Sequence, residues 1–570
     1  FQGVERINEL MRDFDLTFDE ALEGVRAATV FTTHTPVPAG IDRFGADKIH
    51  VYFGEHGAVP GVPLERLLAL GGEDFEGGSR GVFNMAIMGL RLGQRANGVS
   101  ELHGAVSRDM FDGLWPGFDP TEVPITSITN GVHAGTWVDD RVFALAEKHL
   151  GTIEVSRDHA WERIGEIPVE DMWVTKRGLR EQLVKDARKR VKASWIKRGA
   201  SAAELGWVED ILDPDVLTIG FARRVPTYKR LTLMLRDPAR LKRMLLHPDR
   251  PVQVVIAGKS HPADETGKRL IQQMVQFADD PQVRHRIVFL PNYDIEMAQK
   301  LYPGCDVWLN NPLRPFEACG TSGMKAALNG ALNLSILDGW WDEWFDGSNG
   351  WAIPTADGVE NPDRRDDIES AALYDLIENA VAAHFYDRDM DGLPQHWLSM
   401  IAHTLATLGP KVLASRMVRD YTEKLYGPAA RAGWALAGAT YAGARDLAEY
   451  KARVRAAWPG VRVDHVEPSG VSDSPQIGDT LEVRAFVDLG GLEPEDVEVQ
   501  FVHGRTSEND DLREPEVVPL AFGESHEGDR HAFVGSLKLA RTGSFGYTVR
   551  VLPKHPALAT GAELGLVANA

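Results

Sequence analysis

Residues 317–339 read EACGTSGMKAALNGALNLSILDG, a glycine-rich turn, a helical run and then a short apolar strand. Gly320-Thr321-Ser322-Gly323 opens the predicted helix, with Met324 and Lys325 in its first turn. The end of the stretch, ALNLSILDG, is continuously apolar and too short for a buried helix. Four stretches upstream have the same character: VLTIGFARR (216–224), VQVVIAG (252–258), HRIVFLP (285–291) and CDVWLNN (305–311). Helical segments separate them. Short apolar strands alternating with helices predict an α/β chain whose parallel sheet is covered on both faces. Ligands of such sheets bind at the carboxyl ends of the strands.

The other regions differ. Upstream, ATVFTTHTP (28–36) reads as a buried strand entering a Pro-rich turn, and residues 83–111 read as two helices separated near Asn97-Gly98. Beyond about residue 405 the pattern is helical. After about 460 come strand-like runs: VRVDHVEP, TLEVRAFVDL, VEVQFVHG, HAFVGSLKL and GYTVRVLP. Their close spacing, with Gly, Pro and Asp between, predicts a separate all-β sandwich.

Composition narrows the function. The 570 residues carry 83 acidic and 62 basic side chains, a formal net charge of −21. A duplex nucleic-acid binder needs a strong basic face, because phosphate neutralisation supplies much of its affinity. No apolar run reaches the roughly 18 residues of a membrane span, and no secretory start is visible. Cys305 and Cys319 form no disulfide framework or zinc motif and fit reduced thiols in the cytoplasm.

Three stretches carry candidate chemistry. Free amides behind glycines at a helix start make an anion cradle. A lysine in that first turn works against the helix dipole. Pyridoxal phosphate needs both a phosphate cradle and a lysine for its aldehyde. The same pattern also fits a surface lysine behind a glycine-rich cap. In GFARRVPTYKR (220–230), Arg223, Arg224, Lys229 and Arg230 crowd a strand end, as a phosphate site or a solvated basic loop. In ITNGVHAGTW (128–137), Asn130-Gly131 signals a turn, and His133 and Trp137 are either ligand-facing or structural; His34 is read the same way. No carboxylate pair, clustered metal motif or nucleophile elbow is apparent.

Taken in order, FTTHTPVPAG (31–40), FNMAIMGLRLGQRANGVS (83–100), ITNGVHAGTW, FARRVPTYKR, FLPNYDIEMAQKLYPGCDVWL (289–309), EACGTSGMK and SRMVRDYTEKLY (415–426) resemble the α-glucan (glycogen and maltodextrin) phosphorylase family, in its bacterial and archaeal branch. The resemblance covers about residues 1–430. It implies a glycosyltransferase-B fold, two Rossmann-like domains with the active site between them, plus the C-terminal β-sandwich. Residues 1–135 would be the remainder of the first domain, 136–405 the cofactor and phosphate domain, 406–460 C-terminal helices and 461–570 the accessory β domain. The implied reaction is phosphorolysis of α-1,4-glucan to glucose 1-phosphate with retention, using the phosphate of pyridoxal 5'-phosphate. Partners would be α-glucan and inorganic phosphate, with neither nucleic acid nor membrane; a homodimer is compatible.

Residue by residue, Lys325 falls on the lysine that carries the cofactor, and Arg224 and Lys229 on the residues that hold the substrate phosphate. Arg223, Thr321 and Ser322 match positions near the cofactor phosphate, and Tyr293 and Trp137 match neighbours of its ring. Glu317, Cys319, Gly320 and Asn130 match positions that hydrogen-bond the glucosyl unit. Gln94 stands in GQRANGV where the mammalian-type family has the histidine of SHAVNGV. The family's glycine-rich cofactor-phosphate loop has no counterpart, so a chain truncated at its start, and inactive or poorly soluble alone, is expected. Two rivals remain: a nucleotide-sugar-dependent glucan synthase of the same fold, which needs no lysine at 325, and a non-catalytic glucan-binding protein.

Overall fold

The computed structural model of the chain describes residues 1–54, 59, 61–151, 161–224, 226–472, 475–506, 512–526 and 529–570. Its centre is a six-stranded sheet in the spatial order Gly350–Ile353, Leu332–Ile336, Val307–Asn310, Leu217–Arg224, Val252–Lys259, Ile287–Pro291. All five pairings are parallel. The two eight-residue strands are buried up to their last residues, Arg224 and Lys259, which are exposed and in register. That burial explains the continuously apolar runs. Strand order reverses between Leu217–Arg224 and Val307–Asn310, so the sheet's switch point lies where Arg223 and Asn310 end their strands. The sixth strand, GWAI, is too short and too mixed to stand out in the sequence.

The first sheet has three parallel strands, Val30–Thr32, Arg95–Gly98 and Ile125–Ser127, with Arg95–Gly98 in the middle. The two helices expected on either side of Asn97-Gly98, Met85–Leu92 and Glu101–Phe111, are present, and the segment that separates them is itself a strand. Tertiary pairing overrides a weak strand former here. Fully buried Asn97 accepts from the Thr32 hydroxyl and donates to Gly98 O and to Tyr421 Oη.

Helix Gln395–Val412 leads back to this first sheet. Val132 N donates to Val412 O and Ala414 N to Val132 O, and Tyr421 and Leu425 pack with Ile128. The C-terminal strands form one seven-stranded antiparallel array folded over on itself. Strand Leu512–His526 makes the fold: its first part pairs with Val497–Thr506, its last part with Arg530–Lys538. The core inside includes Ala444, Leu447, Tyr450 and Val454 of helix Ala442–Ala457, so this β unit shares its core with the helix before it.

Candidate functional site

Gly320 caps helix Thr321–Ala327 in the left-handed region (φ 87°), a conformation that disfavours any side chain. A Cβ there would also stand 3.2 Å from Glu317. The helix has seven residues, which puts Lys325 in its last turn, not its first. Lys325 is therefore favoured by the helix dipole and not opposed by it, since cations suit a helix C-terminus. What sets Lys325 apart is its surroundings. Its Nζ lies 3.8 Å from the Trp137 ring centroid and 5.6 Å from that of Tyr302. Burial alone lowers its pKa below the ordinary lysine value. Among the described residues it has no ion-pair partner.

An aromatic wall backs this amine. Trp137 meets Tyr302 edge-on at 5.7 Å, and Tyr302 packs on Trp308 at 4.6 Å. Tyr293 and Tyr302 share a hydroxyl hydrogen bond of 2.7 Å. Trp308 Nε1 donates to Ser322 Oγ over 3.1 Å, tying the wall to the helix start.

The second part of the site is a buried charge cluster at the switch point. Glu317 pairs with Lys229 and, over 3.3 Å, with Arg223. Burial pushes the Glu317 carboxyl up, but the Lys229 and Arg223 charges together hold it below the usual value. Burial, then the Arg223 charge, lowers Lys229 to about 8 despite Glu317. Arg223 also donates to Asn310 Oδ1, while its buried Nε has no hydrogen-bond partner among the described residues. Asp338 accepts from Glu317 N (3.0 Å) and Gly339 N (2.9 Å). Burial, with the Glu317 charge adding, raises its carboxyl to about 7. Arg224, next to Arg223, points to solvent with no ion pair among the described residues.

The third part is the seam with the first sheet. Ser100 Oγ donates to Ala318 O (2.7 Å), and the Glu343 carboxylate accepts from Glu101 N and Thr129 Oγ1. Arg416 holds Thr129 O and Asn130 O, both at 2.8 Å. Buried Cys319 lies against the Asn130 backbone, and burial raises its thiol well above the ordinary range, an inert neutral group.

Most sequence-chosen residues thus fall into joined groups: Lys325, Trp137, Tyr293, Thr321 and Ser322; Arg223, Arg224, Lys229, Glu317 and Gly320; Cys319 with Asn130. Gln94 stands apart, its amide donating to Ala557 O and Glu563. His133 is exposed and bonded to Thr136 Oγ1, and His34 is exposed. Sequence reasoning missed Asp338, Asn310 and Tyr302. The first two could have been found, since both lie at the carboxyl ends of recognised strands.

The demands of an aldehyde- and phosphate-bearing cofactor match these side chains. The aldehyde needs an amine that readily loses its proton, as Lys325 does. The anion needs a donor with unspent capacity, as buried Arg223 Nε has.

The profile of the carbohydrate phosphorylase family matches residues 75–343, and that of the glycogen phosphorylase C-terminal domain matches residues 458–570. A glycogen phosphorylase of Mycobacterium tuberculosis is 56% identical over 573 residues, covering 100% of this chain and 66% of the relative. A maltodextrin phosphorylase of Thermococcus litoralis is 35% identical, again over 100% and 66% of the two chains. A glycogen phosphorylase of Aquifex aeolicus is 42% identical over 72% of this chain and 59% of its own length. The chain spans 66% of the length of the first two relatives. On these matches, with the charge cluster at the switch point and the isolated lysine on the helix Thr321–Ala327, the chain belongs to the carbohydrate phosphorylase family.

Proposed function

We propose that this chain supplies the cofactor and phosphate half of an α-glucan phosphorylase, which cleaves α-1,4-glucan with inorganic phosphate to give glucose 1-phosphate with retention. One observation carries the reading. An isolated, desolvated lysine lies on the helix Thr321–Ala327, and Glu317, in the loop before that helix, holds Arg223 and Lys229 from the end of strand Leu217–Arg224 and the turn after it. A glucan synthase would need no such lysine, and a binding protein would need neither feature.

In this reading Lys325 attaches pyridoxal 5'-phosphate, with Trp137 and Tyr293 beside its ring and Arg223, Thr321 and Ser322 toward its phosphate. The cofactor supplies a phosphate group that exchanges a proton with the substrate phosphate. The chain's own residues do the rest. Arg224 is exposed and lacks an ion pair among the described residues, so it is available to an incoming anion. Lys229, with a pKa of about 8, keeps its charge near neutrality. Arg223 is pinned by Asn310 and Glu317 and sets a fixed positive potential behind them. Preorganised cations of this kind stabilise developing anionic charge without reorganisation. Glu317, held ionised, and Asn130 offer hydrogen bonds to the glucosyl hydroxyls, with Cys319 and Gly320 lining the same turn. The role of Gln94 in sugar binding is not carried forward, because its amide is spent on the C-terminal tail. A cytoplasmic location belongs to the same proposal; among the described residues no helix is long and apolar enough to cross a membrane.

The test has two arms. Borohydride reduction of the protein loaded with pyridoxal 5'-phosphate, followed by peptide mapping, should place the label on Lys325. The full-length natural polypeptide that contains this chain should release glucose 1-phosphate from maltodextrin only when phosphate is present. Label on another lysine, or release without phosphate, would overturn the proposal.

A further inference from the structure

The amine of Lys325 owes its character to two rings that reach it from other segments. Trp137 ends a short helix after the first sheet, and Tyr302 lies on helix Ile295–Gly304. Something must hold these segments against the Thr321–Ala327 helix, and Asn329 has the required bonds. It is 1% exposed and sits just past the helix end. Its Nδ2 donates to Lys325 O and to Trp137 O, both at 2.8 Å, and its Oδ1 accepts from Asp139 N at 2.9 Å. One side chain therefore spans the backbone of Lys325 and the backbone on both sides of Val138. No other atom of its amide is left to serve another purpose.

A second buried group ties Asn329 to the Tyr302 helix. Lys176 Nζ donates to Asn329 O (3.1 Å), Pro303 O (2.8 Å) and Cys305 O (3.0 Å). Three carbonyls, not a carboxylate, take its three protons. The amine beside Trp137 and Tyr302 is thus framed by Asn329 on one side and by Lys176 on the other. No charged side chain shifts Lys325; desolvation is the sole cause. Its proton affinity depends on where the rings sit.

We infer that Asn329 is a positioning residue for Lys325, holding the Trp137 ring over the amine so that it stays desolvated and ready to take the cofactor's aldehyde. The inference rests on the proposed function for its purpose, but the contact itself is measurable without cofactor. Asn329→Asp keeps the acceptor for Asp139 N and loses both donated bonds. Asn329→Ala loses all three. In either variant the ring is released and water reaches the amine, which moves the lysine back toward its ordinary pKa.

The experiment is trace acetylation of the cofactor-free chain across a pH series, with the Lys325 peptide read by mass spectrometry. The unsubstituted chain should label Lys325 at lower pH than its exposed lysines. Asn329→Ala and Asn329→Asp should raise the Lys325 midpoint toward that of the exposed lysines. Trp137→Ala should raise it equally, and the Asn329→Ala/Trp137→Ala double variant should go no further, because both act through one ring. Circular dichroism selects the variants that remain folded, and Trp137→Ala provides the test even where Asn329→Ala does not fold. An unchanged midpoint in Trp137→Ala or in a folded Asn329 variant would overturn the inference, as would additive shifts. Failure of borohydride to label Lys325 in the loaded protein would remove the cofactor reading and leave this clamp standing.

Discussion

At the carboxyl edge of the six-stranded sheet, Arg223, Lys229, Glu317 and Asp338 are packed together away from water. In the C-terminal antiparallel sheet the order is reversed. Leu481, Val483, Ala485, Val487 and Leu489 alternate inward, while Arg484 pairs with Glu524 on the outside. Burying a charge costs several kcal/mol unless partners offset it. The first region accepts that cost, and strand Thr480–Leu489 avoids it by simple alternation. Under the proposed function the difference separates chemistry from support: the buried charge at that edge is placed to meet an anion.

The largest effect should come from the cations at that edge. In the full-length protein, Arg224→Ala or Lys229→Ala should lower phosphorolytic turnover by two orders of magnitude or more, on the order of 3 kcal/mol. Borohydride-trapped label on Lys325 should remain. Full turnover in both variants would make the edge structural and erase the contrast. Lys229 also predicts a pH effect. Its charge is lost as pH passes about 8, so KM for phosphate should climb there. Lys229→Arg, which keeps its charge, should remove the climb.

Next is the joint that fastens the C-terminal unit to the first helices. Lys451, 3% exposed, bridges Glu23 and Glu563 at 2.7 Å each, joining the first helices to the C-terminal tail. Lys451→Met leaves the buried Glu23 and Glu563 carboxylates with Arg26 as their remaining cation among the described residues and should cost about 3 kcal/mol in urea unfolding. A loss near zero would mean the β unit is only loosely docked. Asp338 gives a smaller, pH-dependent effect. Its folded pKa of about 7 lies above the ordinary aspartate value of 3.8. Between these values the native chain binds more protons than the unfolded one, so this group's contribution falls as pH rises through the window. Asp338→Asn keeps an acceptor for Glu317 N and should flatten that slope, with a gain on the order of 2 kcal/mol at pH 7. An unchanged slope would show Asp338 to be ionised throughout.

The central sheet was legible because buried parallel strands read as continuous apolar runs, and Arg223 to Arg230 were legible because four cations follow one such run in an acidic chain. Strand Arg95–Gly98 was not. RANG has no strand signature and is made a strand by neighbours on both sides. The placing of Lys325 was legible only in part. The glycines announced a helix start but not a helix of seven residues, and Tyr302 and Trp137 approach from segments far away in sequence. Asn329 gave no signal at all, because a side chain that bonds only to backbone looks, in sequence, like any asparagine before a glycine.

The smallest effect should be found on the outer face of the C-terminal sheet, where Arg484 pairs with Glu524 and lies over the Phe486 ring at 5.2 Å. The side chains of Arg484 and Glu524 are 40% and 59% exposed. Water screens such a pair, and holding two long side chains in one geometry costs entropy that cancels much of the gain. The cation–ring contact adds little at this exposure. Arg484→Ala should therefore change unfolding stability by no more than about 0.5 kcal/mol and leave turnover unaltered. The comparison with Lys451→Met is direct, since both variants remove one cation from a carboxylate partner on the same β unit or its supporting helix. Burial differs most, although Lys451 meets two carboxylates and Arg484 one. A loss for Arg484→Ala matching that for Lys451→Met would mean that burial does not set the value of charge in this chain, and the distinction between its two regions would fail.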